Sequence, residues 1–480
     1  MRLTRTALAL LSTALFAAPL ALATAPGRAV AQPLPDALSQ AYSNNPTLLA
    51  ARAQLRAVDE NVPQALAGWR PTVSIASSVG WLDSDIRQGR ASRDQSRTTT
   101  SNQLTVTQPI FRGGRTVAST RRAENQVLAQ RARLFATEQQ VLQDSVNAYI
   151  AVIRDQELLA LNINNEQVLA EQLRATNERF RVGEITRTDV AQAESRLAGA
   201  RAARAQAEGN LQISRATFQR LVGAAPQRLV APQPLRPPVR SAQEAAQLAA
   251  VNNPNVVAAL FDEAAARDNI DIQIATLLPQ LSLQGQAFRN ENSAQTGTLI
   301  QGTQAIVSLT LPIYQGGAEY ALVRQARQTA IQARQTVDDQ RRQVSQQATA
   351  AWEQLQAAKA QVDSVRAQIR AAEIALDGVQ REAIVGSRTT LDVLNAEQEL
   401  LNARTNLVQA LSTVVSQSFV LAAAVGRLTA QDLGLPVEVY DMRAYYNLVR
   451  NRWIGLGDYS GEAQRAAAAI SASATTTGVR

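Results

Sequence analysis

The sequence predicts a mainly α protein with a transmembrane β-barrel contribution, built from two tandem copies of one module. Three observations carry this. Short motifs recur at a nearly constant offset, two helical stretches run far past ordinary helix length, and a pair of alternating segments precedes each of them. Within a copy the elements run short helix, strand, strand, long helix, tip, helix.

A fixed internal offset is the signature of a repeated unit. Asn45-Pro46 recurs as Asn253-Pro254, and Arg70-Pro71 as Leu278-Pro279, both 208 residues on. Gln108-Pro-Ile-Phe-Arg-Gly-Gly114 recurs as Leu311-Pro-Ile-Tyr-Gln-Gly-Gly317, now 203 residues on. The offset stays at 203 for Gly183/Gly386, Asp189/Asp392, Glu194/Glu397 and Gly223/Gly426, so one deletion of five residues between Pro279 and Pro312 accounts for the change. The expected division is a leader over 1–31, a first repeat over 32–225, a Pro-rich join over 226–240, a second repeat over 241–433, and a C-terminal segment over 434–480 ending in a disordered Ala/Ser/Thr tail.

The leader has a charged start (Arg2, Arg5), an apolar run from Ala7 to Ala23 and the small-residue pattern Ala29-Val30-Ala31. That is a secretory signal peptide cut after Ala31. Its loss takes Arg2, Arg5 and Arg28 and lowers the net charge from +8 to +5. The remaining basic residues are interleaved with Glu and Asp along helices, which suits solvated faces and not a nucleic-acid patch. The chain has no Cys and no His. That removes disulfides, thiolate metal sites, a cysteine lipid anchor and the commonest general base. No enzyme chemistry, cofactor or metal is expected. No later stretch approaches the ~18 consecutive apolar residues of a membrane helix, so entry into a bilayer must use strands.

Leu34 to about Trp69 is expected to be helical, with Pro46 and Pro63 as its breakers. After Pro71, Val73, Ile75, Ser77, Val79 and Trp81 alternate with small or polar residues, as in a half-buried strand. Leu82 to Thr100 is polar and predicts a loop; a returning strand then carries Leu104, Val106 and Ile110 on one face. The second copy repeats this with Leu281, Leu283, Gly285 and Ala287 going out, then Ala305, Val307, Leu309, Leu311 and Ile313 coming back. Each copy thus offers two strands of about ten residues, near the ~9–11 that cross a bilayer as tilted barrel strands. Pro109 and Pro312 fall at strand ends, where a missing N–H does least harm, and the Gly-Gly after each re-aims the chain into a helix.

From Gly113 to Gly183 there are 70 residues without proline, roughly 105 Å as a helix. Apolar residues fall at sevens (Val127, Leu134, Val141; Leu128, Phe135, Leu142, Tyr149), and in the second copy Leu355, Val362, Ile369 and Leu376 run beside Ala358, Val365, Ala372 and Val379. This is a coiled-coil seam with one small-residue row. Val182-Gly183 and Val385-Gly386 interrupt the two long patterns, and an Asp follows each Gly by six residues. Each predicts a hairpin tip, because glycine accepts the left-handed backbone that ends a helix. The returning helix is Asp189–Leu221; it and Leu34–Trp69 together nearly match the long helix, so the two are expected to stack end to end along it.

Four strands cannot close a barrel, and open edges in lipid cost several kcal/mol per unpaired group. Since the smallest closed bacterial barrels have 8 strands, the chain must pool strands with other copies; three copies would give twelve. The competing reading is a soluble periplasmic helical rod capped by two hairpins, a structural coiled-coil protein without a pore.

The Asn-Pro openings, the Pro-Ile-(Phe/Tyr)-x-Gly-Gly turns and the Val-Gly-x-x-x-x-x-Asp tips resemble the TolC family of outer-membrane channel-tunnels, over roughly 34–435. That resemblance implies a homotrimer with a 12-stranded barrel in outer-membrane lipid of a Gram-negative bacterium, above a 12-helix periplasmic tunnel. It further implies that the tips (Val182, Gly183, Val385, Gly386, Ser387) dock a periplasmic adaptor, or membrane fusion protein, and work with an inner-membrane ABC or proton-driven pump. By the same resemblance Arg388 matches a linking arginine of the closed state, with Thr188 and Asp189 as its partners, and Asp392 matches a constriction carboxylate. The alternative role for Asp189 and Asp392 is to cap the returning helices. Two positions depart from the family pattern: Ala383 stands where a linking Tyr is common, and Asn395 where a second constriction Asp occurs in some members. One carboxylate ring is expected in place of two.

Overall fold

The computed structural model describes residues 31–89 and 91–461. The leader, apart from Ala31, and the tail beyond 461 lie outside the described residues. The first copy runs β1 (Ala31–Gln32), α1 (Leu34–Asn44), α2 (Pro46–Asp59), α3 (Asn61–Leu66), a 3₁₀ turn, β2 (Thr72–Gln88), β3 (Ala91–Arg112), α4 (Arg115–Arg181) and α5 (Arg187–Val222). After β4 (Arg228–Leu229) the second runs α6 (Ala242–Asn252), α7 (Pro254–Ile274), a 3₁₀ turn, β5 (Gln280–Glu291), β6 (Leu299–Thr310), α8 (Ala318–Ile384) and α9 (Thr390–Ala424), followed by α10 (Ala444–Val449).

The first expected helix is broken at Asn45, which is extended at ψ 122° ahead of Pro46, since a residue before proline is pushed out of the α region. The break is put to use. Asn45 Oδ1 accepts Thr47 N–H at 2.9 Å, capping α2, while Nδ2 donates to the Leu221 carbonyl at the end of α5 at 2.9 Å. Asn253 does the same, accepting from Asn255 N–H at 3.0 Å and donating to Ala424 O at 3.1 Å. The Asn-Pro pairs are therefore straps that butt the upper helices against the ends of the returning ones. In each copy, upper and returning helices lie along one long helix: α1–α3 and α5 on α4, α6–α7 and α9 on α8.

Both long helices have 67 residues, about 100 Å. On α4, Val127, Leu134 and Val141 are buried, as are Leu142 and Tyr149, whereas Phe135 is exposed. On α8 the small row Ala358, Val365, Ala372 is buried beside Leu355 and Val362; α5 faces α4 with its own row Ala193, Ala200, Ala207. Small residues let the axes close up along the whole seam. Towards the tips burial thins: past Asp155, α4 buries only Leu169 and Thr176. The tipward part of α4, burying so little against its own chain, leaves its flanks for other surfaces.

Two large cores sit at mid-height. One gathers Leu38, Leu48, Leu55, Leu142, Tyr149 and Phe218; the other gathers Val256, Val344, Leu355, Val414 and Leu421. The Pro-rich join is pinned into the first, because β4 pairs in parallel with β1 and the Tyr149 hydroxyl accepts Val230 N–H at 2.9 Å while lying 2.8 Å from the Gln32 carbonyl. One expectation needs qualifying: α9 does contain an 18-residue window apolar enough for a membrane span. Ser412, Thr413, Ser416, Gln417 and Ser418 interrupt any continuous apolar run, and its Val414, Leu421 and Ala422 are spent in the two cores. It is a core helix by packing.

β2, β3, β5 and β6 form one sheet in the order β2-β3-β5-β6, antiparallel throughout. The first hairpin is longer than expected: 17 and 22 residues, against 12 and 12 in the second. Leu82–Thr100, expected as a loop, is mostly strand. Above Trp81 both faces are mainly polar, Leu82 and Ile86 apart, so the alternation that marks a strand fades, but the ladder needs only backbone groups. Gln95 and Arg97 are buried there, donating to Thr296 Oγ1 at 2.8 Å and to the Ser293 carbonyl at 3.0 Å in the β5–β6 turn. Ile110 also departs from expectation. A bulge shifts the register between Pro109 and Phe111, and the extra residue flips the phase. Phe111, paired with Leu281, therefore takes the place on the apolar face expected of Ile110.

Candidate functional site

The register sorts the sheet into two chemically opposite faces. Val73 pairs Val106 and then Gly285 and Ala305; Ile75 pairs Leu104 and then Ala287 and Thr303; Leu283 pairs Val307, and Leu281 pairs Leu309. One step along, Ser74, Thr105, Gln286 and Gln304 line up on the other face, where Gln304 donates to Gln286. The apolar side chains are exposed in the single chain, Ile75 and Val79 among them. From Val73 to Trp81 the apolar row covers about 27 Å of strand, near the ~25 Å apolar band of an outer-membrane barrel. Apolar without and polar within is the pattern of a barrel wall around water. In one chain β2 and β6 are edges.

At the far end of the long helices are the two tips. Gly183 and Gly386 both have φ 82°. At the first, Gly183 N–H donates to Phe180 O and Glu184 N–H to Arg179 O, both 3.0 Å; at the second, Gly386 donates to Ala383 O at 3.2 Å and Ser387 to Glu382 O at 3.0 Å. These paired bonds close the helix ends in the Schellman manner. Three residues beyond each glycine a threonine starts the returning helix. Thr186 N–H donates to Asp189 Oδ2 at 3.0 Å and Asp189 N–H to Thr186 Oγ1 at 3.4 Å; for Thr389 and Asp392 the distances are 3.0 and 3.2 Å. Both aspartates thus form capping boxes. The Thr389 amide and hydroxyl, then Arg388, hold the Asp392 carboxyl below the usual carboxylate range.

Within one chain the expected link from Arg388 to Thr188 or Asp189 is not made. Arg388 Nε donates to Glu382 Oε2 at 2.8 Å on its own hairpin, a bond that pushes the guanidinium pKa further up. Asp189 is committed to Thr186, and Thr188 is exposed. The physical reason is reach: Glu382 ends the same long helix and faces the turn that carries Arg388. The departure noted at Asn395 has a partner that sequence reasoning missed. Arg196 on α5 donates to Asn395 Oδ1 at 2.9 Å, which joins the two returning helices above the tips. Leu394 supports that join by packing against Leu169, Leu197 and Ala200. Glu397, one turn further, is pushed up by burial against the pull of Gln380. At the tips themselves Val182 and Val385 are exposed, Val385 at 78%.

The outer membrane efflux protein family model matches residues 37–224 and 245–427, one segment in each copy. The chain belongs to that family. It is 37% identical over 429 residues to the outer membrane efflux protein BepC of Brucella suis biovar 1, covering 89% of this chain and 92% of the relative. It is 26% identical to the outer membrane protein TolC of Vibrio cholerae, over 86% of this chain and 95% of the relative. Its fold resembles the CmeC outer membrane channel of Campylobacter jejuni at a TM-score of 0.74 and 16% identity, over 82% of this chain and 86% of that one. As a TolC-family channel of the outer membrane, the protein has a plain use for both ends of its structure. The two-faced sheet suits the lipid, and the tips stand a long helix away from it.

Proposed function

We propose that three copies of this chain pool their sheets into a 12-stranded barrel and their long hairpins into a 12-helix tunnel, forming the exit duct of an efflux or type I secretion system. The observation that carries this is the four-stranded sheet with one apolar face, one polar face and two open edges. In lipid those edges must be paired, and the polar face needs water to look onto. The repeats, 32–225 and 241–433, each supply one hairpin of strands and one of helices. The sparse burial of the lower long helices supports side-by-side assembly. A periplasmic rod without a pore gives no reason for the apolar band.

The purified protein should run in detergent as a trimer and give discrete conductance steps in planar bilayers. A monomeric or dimeric water-soluble product without conductance would return the reading to the rod.

The tips are the regulated end on this reading, docking a periplasmic adaptor and an inner-membrane pump through Val182, Gly183, Val385, Gly386 and Ser387. Exposed valines beside a rigid turn suit a protein partner better than water. Arg388, with Thr188 and Asp189 of a neighbouring hairpin and Asp392 at the constriction, holds the closed state; an exposed ion pair is weak alone, but repetition around a ring biases a two-state gate. Arg388→Glu should raise resting conductance, and an unchanged conductance rejects the role. Asn395, held by Arg196, contributes no charge, so block by divalent cations should be weaker than with two carboxylate rings. Low-micromolar block abolished by Asn395→Ala would contradict that.

A further inference from the structure

After α9 the chain does not stay at mid-height. Ala430 N–H donates to Glu138 Oε1 at 2.7 Å, Tyr440 N–H donates to the Tyr42 hydroxyl at 3.1 Å, and Arg52 lies over the rings of both tyrosines at 4.5 and 5.1 Å. The Tyr445 hydroxyl then donates to Glu60 at 2.8 Å, Tyr446 lies against Arg131, and Arg450 pairs with Glu124 at 2.9 Å. On α4 these contacts step from Glu138 through Arg131 to Glu124, about 21 Å towards the strands. The climb ends where Arg70 Nη1 donates to the Arg452 carbonyl at 2.7 Å and its guanidinium sits 5.0 Å over the Trp453 ring. Arg70 is two residues before β2 and three before Val73, where the apolar row begins.

Three large apolar side chains are presented at that level. Trp453 is 66% exposed, Ile454 90%, and Leu456 fully exposed. Nothing in the cores requires them: the segment is already fixed by Tyr445, Tyr446 and Arg450. Near the other strand ends Trp69, Phe111 and Tyr314 are aromatic and exposed as well. Aromatic residues with arginine alongside are what a membrane–water boundary collects, since the rings take the headgroup region and the guanidinium reaches water or phosphate.

We propose that the C-terminal segment is a membrane-interface anchor, with Trp453, Ile454 and Leu456 inserted among phospholipids of the leaflet on the helical side of the sheet. The proposal rests on the reading that the sheet lies in the bilayer. Its occupant is lipid because Arg70 holds Trp453 at the foot of β2, three residues before the apolar row begins, with Ile454 and Leu456 exposed directly after it. The segment would then act as a strap from the α4 surface to the membrane, adding a hold on the leaflet that the four strands do not supply.

The test uses the absence of cysteine from the chain. Full-length Ile454→Cys and Leu456→Cys variants, each carrying a nitroxide, are reconstituted into phosphatidylethanolamine/phosphatidylglycerol vesicles, and spin-label accessibility to oxygen and to a water-soluble nickel chelate is compared. Ile75→Cys on the apolar row of β2 and Ile213→Cys, exposed on α5, serve as references. Both new labels should favour oxygen several-fold, like position 75 and unlike position 213. If they behave like 213 while 75 sees lipid, the sheet reading stands and the anchor fails. Shielding from both reagents would mean a neighbouring copy covers the segment, which also overturns the anchor. If 75 itself sees water, both readings fall together.

Discussion

At the first tip the long helix supplies an arginine and the turn supplies the acid: Arg179 Nε lies 3.0 Å from Glu184. At the second the helix supplies the acid and the turn the arginine, with Arg388 Nε 2.8 Å from Glu382. Glu382 stands 203 residues after Arg179, so the two helix positions correspond while their charges are reversed. The glycine at φ 82° and the Thr/Asp capping box are the same in both. Within this one chain, what shapes the backbone is duplicated and what decorates its surface is not. Backbone geometry has few solutions, whereas an exposed pair works in either direction. The duplicated parts should therefore respond alike to the same substitution, and the unlike parts should not.

The largest shared effect is expected at the Asn-Pro straps. Asn45→Leu and Asn253→Leu each remove a helix cap and leave a helix-end carbonyl unpaired at a buried site. Each should cost about 2–3 kcal/mol, read as a lower denaturant midpoint, and the two costs should be similar. A large inequality would mean that the two copies are not mechanically equivalent at their junctions.

The next effect should appear in one copy only. Asp59, 1% exposed, has neither carboxylate oxygen hydrogen-bonded; burial raises its pKa to about 7, against the pull of Arg131. Its counterpart, 208 residues on, is Arg267, exposed and paired with Glu263. The folded chain holds the Asp59 proton more tightly than the unfolded chain, whose pKa is near 3.8. This contribution to stability is therefore full below pH 3.8 and is lost as pH rises through about 7. Asp59→Asn should flatten that window and raise stability at pH 8 by about 1–2 kcal/mol, the amide still being buried. Thermal midpoints between pH 5 and pH 8 measure it; an unchanged slope would show that Asp59 does not titrate there.

Much of this division was legible in the sequence. The offset, the proline-free helices and the Val-Gly breaks located both copies and both tips, because each rests on local backbone chemistry. The upper half of the first hairpin was not legible: Leu82–Thr100 has polar residues on both faces, so no alternation marks it. Nor was the place of Phe111, since a one-residue bulge leaves no mark in a period count. The climb of the C-terminal segment depends on contacts between positions hundreds of residues apart, such as Arg70 and Arg452. At the tip the capping role of Asp189 and Asp392 was open in the sequence as an alternative, but the threonines that complete the boxes were not singled out, and the choice of Glu382 over Asp189 by Arg388 is a matter of tertiary reach.

A smaller shared effect lies at the turns. Gly183→Ala and Gly386→Ala place a Cβ at φ 82° with no atom beyond the two neighbouring residues within 4 Å. The cost is backbone strain alone, about 1 kcal/mol at each tip. Amide exchange in the following turn should quicken to the same extent in both, and Gly→Asn should quicken it less. Unequal responses would show that a contact outside the turn supports one of the tips.

The smallest local effect belongs to the reversed pairs, and it separates a hairpin role from a gate. Arg388→Glu sets like charges against each other at the second tip and should speed amide exchange around Ser387. Adding Glu382→Arg rebuilds the pair in the orientation of the first tip, so local exchange should return to its original rate. If Arg388 also reaches a neighbouring hairpin, the resting conductance of the double variant should stay raised, because a glutamate at 388 cannot replace the cation there. Recovery of both exchange and low conductance would confine Arg388 to its own turn. The mirror experiment, Arg179→Glu with Glu184→Arg, should leave conductance unchanged throughout, since the proposed link between hairpins is made by Arg388 at the second tip.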